Sequence, residues 1–264
     1  MLIVEREIRS ESVHRDAITG AQNLNGEEFM TCGRDNAFKI WSKETQSCDY
    51  TIETHEPLHT MAITGEKGDM LVAALGEGNL IVFGMQLKNQ IDILREAHAS
   101  PVIKVITLAR LNNKYFATRC AEGHVNVWSA TSHPDKLFTI ENIDKEDASS
   151  LHDNTLNVTL KADGDPLQQS MWQSSSSEKD RMIELEWKHQ FIQPSSTVLC
   201  ITNYNDSLVI VVVIDLKTRR KQIFKTYKCA QRPSYLFQSD HNNILVGTEG
   251  GHVEQWSIES DKLV

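Results

Sequence analysis

A bulky ring or apolar plug recurs along this 264-residue chain with a mean spacing of 43 residues. Trp41, Phe83, Trp128, Trp172, Ile214 and Trp256 stand 42, 45, 44, 42 and 42 residues apart. The text around the anchors repeats as well. FMTCGRDNAFKIWS (Phe29 to Ser42) has an apolar run, a tight turn and an alternating run that ends in tryptophan. YFATRCAEGHVNVWS (Tyr115 to Ser129) and ILVGTEGGHVEQWS (Ile244 to Ser257) share that layout, and MLVAALGEGNLIVFG (Met70 to Gly84) puts Phe83 in the tryptophan slot. A period in the range of roughly 40–45 residues marks an array of supersecondary units that bury their faces against each other.

Each unit reads as about four short strands. A short apolar strand follows the anchors at Tyr50–Ile52, Ile91–Leu94, Leu137–Ile140, Met182–Leu185 and Ile223–Tyr227. A strand introduced by histidine precedes three of the hairpins: His14 before Ala17–Ala21, His55 before Leu58–Ile63 and His98 before Val102–Leu108. Gly33, Asp35, Gly76, Gly78, Gly123, Gly250 and Gly251 supply turns that tolerate positive φ. Four short antiparallel strands cannot bury both of their faces alone, and radial repetition solves this by stacking sheet on sheet. The expected fold class is therefore all-β, a β-propeller of four-stranded antiparallel blades.

These residues resemble the WD repeat. The resemblance implies that a histidine, a second-strand Ser or Thr, a turn Asp and a third-strand Trp form a hydrogen-bonded set that fastens each blade. His14, Thr31, Asp35 and Trp41 match the whole set; His98, Thr118 and Trp128 match it with Glu122 at the Asp position. His55 and Phe83 stand in for two members in the second unit, with Glu77 in the Asp slot. Trp256 remains in the last unit, with Gly250 where Asp would stand. The resemblance covers nearly the whole chain, strongly over residues 10–141 and 234–264 and more weakly between. A literal Trp-Asp pair ends none of these blades; Ile214-Asp215 comes nearest.

The polar stretch from Glu141 to Lys179 reads either as a degenerate blade with long loops or as an insertion. Val198–Thr202 and Leu208–Ile214 are clear strands, but Asp206 lies eight residues before Ile214 instead of six, so one of the four strands there has no obvious place. The N-terminal run LIVEREI reads as a fourth strand without the first three. The last unit lacks a fourth strand up to Leu263-Val264. Joining the two closes a ring of six blades in one domain, residues 1–264; part of a seven-bladed ring is the alternative.

Composition bears on function by exclusion. The net charge is −9, which disfavours binding to phosphate backbones, and the basic cluster Lys217, Arg219, Arg220 and Lys221 reads as a hairpin tip. Five widely spaced cysteines, with no C-x-x-C pair, fit a reducing compartment, cytoplasmic with the nucleus as a second possibility. Met1 to Ile8 has no signal-peptide layout, and the longest apolar run, Leu208 to Ile214, is too short to span a bilayer. No P-loop, nucleophile elbow or H-E-x-x-H motif occurs. His55 and His59, four apart on a strand-like stretch, would stand about 13 Å from each other, too far for one metal ion. No cofactor, metal or small-molecule substrate is expected. Ser174–Ser177, ahead of Glu178 and Asp180, forms an acid-directed phosphorylation candidate.

The resemblance implies a scaffold or adaptor that docks a protein or peptide on the loop face of the propeller, with no catalytic residue. A recognition module of a larger enzyme or trafficking complex, or a propeller hydrolase, are the alternatives. Candidate contacts from the hairpin tips are Arg34, Asn36, Glu77, Asn79, Glu122, His124, Thr248 and Glu249. Those from the connections between units are Arg15, Glu56, Ser100 and Arg232. Arginine is the favoured hot spot, because its planar guanidinium pairs bidentately with carboxylates.

Overall fold

The computed structural model describes residues 13–85, 89–141, 190–240 and 242–258. Short runs rich in β-branched and aromatic residues form strands there, punctuated by Gly, Asn and Asp turns. The first sheet holds β1 (Ile18–Asn23), β2 (Glu28–Gly33), β3 (Ala37–Ser42) and β4 (Cys48–Glu53). The second holds β5 (Thr60–Thr64), β6 (Met70–Ala74), β7 (Leu80–Gly84) and β8 (Asn89–Leu94). The third holds β9 (Val102–Thr107), β10 (Tyr115–Cys120), β11 (Val125–Ser129) and β12 (Lys136–Ile140). A fourth comprises β13 (Phe191–Ser195), β14 (Val198–Asn203), β15 (Leu208–Asp215) and β16 (Arg220–Lys228). The fifth has three strands, β17 (Pro233–Gln238), β18 (Asn243–Thr248) and β19 (Val253–Ser257). Every sheet is an antiparallel meander in chain order. Contacts divide the chain into two compact units, Met1–Ile140 with Leu216–Arg220 and Glu141–Asp215 with Lys221–Val264.

One hairpin geometry recurs across the sheets. Gly33/Ala37, Leu75/Asn79, Cys120/His124 and Thr248/His252 each bracket a three-residue tip between the second and third strands. Four residues beyond each bracket stands the anchor, opposite the residue four before it: Trp41 on Phe29, Phe83 on Leu71, Trp128 on Phe116 and Trp256 on Ile244. In the fourth sheet Asn203 pairs with Leu208 around a four-residue tip, and the same count lands on Val212, opposite Leu199. Val212 therefore fills the anchor slot, not Ile214, and Asp206 regains its six-residue spacing. The strand without an obvious place is β13, interrupted by Pro194. A register shift between Ile192 and Ser195 accommodates that proline, as bulges do.

Within the first unit, sheets stack face to face. Met30, Cys32, Phe38 and Ile40 of the first sheet pack on Leu71, Ala73, Ile81 and Phe83 of the second. The opposite face of the second sheet, Met70, Val72, Leu80 and Val82, packs on Val102, Val105, Phe116 and Trp128 of the third. Both faces of the second sheet are thus covered, so every residue of β6 and β7 is buried, and their sequences run apolar without alternation. Hydroxyls link neighbouring sheets: Thr19 of β1 donates to Leu58 O, just ahead of β5, at 2.7 Å, and Thr107 of β9 to Ile63 O of β5 at 2.5 Å.

In the second unit Cys200, Val209 and Val211 of the fourth sheet pack on Leu236, Ile244 and Val246 of the fifth. The other face of the fifth sheet carries the exposed side chains of Tyr235, Phe237 and Val253. The basic cluster lies at the tip between β15 and β16, where Arg219 adopts a φ of 54°. Among the described residues no helix is long and apolar enough to cross a membrane. The N-terminal run LIVEREI, Trp172, Ser174–Ser177, Met182–Leu185, Leu263-Val264 and the proposed degenerate blade after Glu141 lie outside the described residues.

Candidate functional site

The matched set assembles around Thr31. Trp41 Nε1 donates to Thr31 Oγ1 at 2.8 Å, and Thr31 Oγ1 lies 2.7 Å from His14 Nε2. His14 Nδ1 lies 2.8 Å from Asp35 Oδ1, and the backbone N–H of Arg15 donates to Asp35 Oδ2 at 3.0 Å. Asp35 can only accept, so Nδ1 carries the hydrogen that reaches it, and in the neutral imidazole Nε2 is then the acceptor for the Thr31 hydroxyl. Gly33 leaves room for that bond, because a Cβ there would sit 2.7 Å from Asp35 Oδ1 and 2.8 Å from His14 Nδ1. Burial raises the Asp35 pKa, but the hydrogen bonds from the Arg15 backbone and His14 outweigh it and hold the carboxyl below its ordinary value.

The third sheet repeats the arrangement. Trp128 Nε1 donates to Thr118 Oγ1 at 2.9 Å, and His98 Nε2 lies 2.7 Å from the same oxygen. The rings stack alike, Phe29 on Trp41 at 6.1 Å and 9°, Phe116 on Trp128 at 6.1 Å and 8°. Glu122, in the Asp slot, lies 3.7 Å from His124 Nδ1 instead of reaching His98. Burial first, then the charges of Lys136 and His124, push the His98 pKa down to about 4. His98 is therefore neutral at physiological pH and sits closed in the core, 6% exposed.

Three expected fasteners, His55, Phe83 and Trp256, meet no hydroxyl in the second-strand slot. His55 is exposed in the connection from β4 to β5, and the stretch from His55 to His59 is not strand. The register explains why: Ala73 occupies the hydroxyl slot, and Phe83 has no N–H to donate. Packing replaces polar fastening there, with Phe83 6.2 Å from Phe38 across the sheet interface. In the fifth sheet Val246 fills the hydroxyl slot, so Trp256 turns its N–H to Glu254 Oε2 at 3.1 Å and packs on Tyr227 at 4.8 Å.

Hairpin tips and following connections meet at one end of each unit's sheets. Leu58 N donates to Gly33 O, His98 N to Gly78 O and Cys229 N to Ser207 O. Of the candidate contacts in the first unit, Arg15, Glu77 and Glu122 are exposed, and Arg34, Asn36, Glu56, Ser100 and His124 half-buried. Asn36 shapes its turn with a φ of 60°. Asn79 is already used, accepting the Glu96 N–H at 3.0 Å. In the second unit Arg232 and Glu249 are exposed, whereas Thr248 is 6% exposed and its N–H donates to His252 O within the hairpin bracket.

Sequence reasoning missed Tyr204. It sits in the fourth sheet's hairpin tip, where its hydroxyl donates to Glu249 and its ring lies 5.2 Å from the Arg232 guanidinium. An aromatic inside the turn NYNDS was the available signal, masked by anchoring the strand on Ile214.

At the opposite ends of the strands a cleft of about 240 Å³ opens between the β1–β2 and β5–β6 turns. Leu24, Ile40, Ile63 and Met85 line it with Glu28, Lys67 and Asp69. Among the described residues no group of three or more His, Cys, Asp or Glu could hold a metal ion. The five cysteines are free thiols, four of them buried. No protein-family model and no curated protein matches the chain.

Proposed function

We propose that the chain is a WD-repeat β-propeller that works as a non-catalytic protein-binding platform in the cytoplasm or nucleus. The observation that carries this reading is the duplicated set, His14/Thr31/Trp41 and His98/Thr118/Trp128, built on hairpins of identical count. Stacking of consecutive sheets within each unit supports it further. Six blades are proposed: the five described sheets and one more centred on Trp172, outside the described residues. Blades that hold themselves by packing and by polar fasteners leave their tips free to vary, and such tips are natural recognition surfaces. On this reading His14 and His98 serve as blade fasteners, each 2.7 Å from a threonine hydroxyl.

The partner is a protein or peptide that contacts the tips, with Arg34 as the leading anchor. Affinity purification followed by mass spectrometry, comparing wild type with Arg34→Glu, tests this. Loss of a specific partner from a variant that keeps its melting temperature supports the platform. Identical partner sets, or turnover by the wild type in a broad hydrolase screen, would overturn it.

A further inference from the structure

Three loops distant in sequence converge in the second unit on Tyr204. Its side chain comes from the β14–β15 tip, Glu249 from the β18–β19 tip and Arg232 from the connection into β17. Tyr204 is 7% exposed, with its hydroxyl given to the Glu249 carboxylate. Arg232 is exposed, and its guanidinium lies over the Tyr204 ring at 5.2 Å. Among the described residues it forms no ion pair within 4.0 Å.

The backbone carrying Arg232 is pinned. Glu249 N donates to Arg232 O at 3.0 Å, and Ala230 N donates to Glu254 Oε1 at 2.9 Å. Between them the Gln231 side chain lies across the hairpin tip, its Oε1 1.7 Å from where a Cβ at Gly250 would stand. The guanidinium lies over the ring and also hydrogen-bonds the Tyr204 side chain, which orients it and leaves its remaining N–H donors for a carboxylate or phosphate. Little conformational entropy remains to be lost when an anion binds there. A cation is the poorer fit, because one Glu249 oxygen already accepts the phenol and Arg232 repels a second positive charge.

We infer that Arg232, held against Tyr204 and steadied by the Glu249 tip, is the binding point for an acidic side chain of a peptide partner. This rests on the platform reading and adds the chemistry of what it holds. Glu249 tunes the site by repelling the incoming anion, which sets a threshold that one strongly charged or well-placed acid overcomes.

Degenerate peptide arrays with a fixed central Asp, Glu, phosphoserine, Gln or Lys, probed with the full chain, test it. Wild type is expected to favour the acidic centres over Gln by about fivefold, as rim pairs of this kind allow. Arg232→Gln should bring that ratio to one with an unchanged melting temperature, whereas Glu249→Gln should raise it. A preference for phosphoserine over Glu assigns the anion to a phosphate; parity assigns it to a carboxylate. Selection of Lys, or acidic selection that survives Arg232→Gln, overturns the inference. If that surviving selection is lost in Arg34→Glu, the platform reading stands while this one fails; if no array position selects anything, both fall.

Discussion

Thr118 takes the indole N–H of Trp128 at 2.9 Å while its oxygen lies 2.7 Å from His98, and Thr31 does the same between Trp41 and His14. A single hydroxyl therefore satisfies two buried ring nitrogens, one on the strand beside it and one on the incoming connection. Thr118→Val keeps the shape and leaves both nitrogens without a partner in the core. The expected loss is about 2–4 kcal/mol, read by urea denaturation. Ala73→Ser, at the equivalent slot of the second sheet, should give no gain, because Phe83 has no proton to offer.

Acid sensitivity should follow from the same residue set. His98 has its pKa pushed down to about 4 from 6.5 in the folded chain, so between those values the unfolded chain binds the extra proton. Stability is then full above pH 6.5 and falls as pH drops towards 4, by at most about 3 kcal/mol for this group. Asp35 acts in the same direction lower down: its stabilisation is complete above 3.8 and is lost as pH falls below that value. Unfolding curves across pH 4 to 7 should show the slope, and His98→Gln should flatten it.

Gly33→Ala places a methyl group against Asp35 Oδ1, His14 Nδ1 and the Ala17 carbonyl. Expected is a loss of about 2 kcal/mol with a weakened acid response below pH 4. A variant as stable as wild type in thermal melts would show that the His14–Asp35 bond does not set this tip.

Thiol reactivity separates by burial. Burial pushes Cys32 up to about 11 and Cys200 and Cys229 up to about 12, while Cys48 is the one thiol not fully buried. Iodoacetamide under native conditions should label Cys48 first, as peptide mapping by mass spectrometry would show. Rapid labelling of Cys200 would contradict its packing between the fourth and fifth sheets.

The anchors were readable because tryptophan is rare and its spacing survives loops of different length. Most third and fourth strands, and the fasteners of the first and third sheets, follow from that beat. Where the anchor is apolar the beat blurs: Val212 and Ile214 lie two apart on one strand face, both 1% exposed, and only the pairing register tells them apart. His55 misled for a related reason. A histidine at the right distance carries no signal about the hydroxyl it needs, and Ala73 and Phe83 had to be read jointly with it. The Tyr204–Arg232–Glu249 cluster joins residues up to 45 positions apart, and no local pattern predicts such a meeting.

The second sheet, enclosed on both sides and lacking polar fasteners, has a thermodynamic consequence. In a stacked array, cooperativity passes through nearest-neighbour interfaces, and this sheet owns two of them. A cavity opened at Val72 or Leu71 would loosen one adjoining sheet or the other, and hydrogen exchange in β6 and β7 should be the slowest in that unit. The element with the least hydrogen-bonded decoration is thus the keystone whose opening uncouples its neighbours.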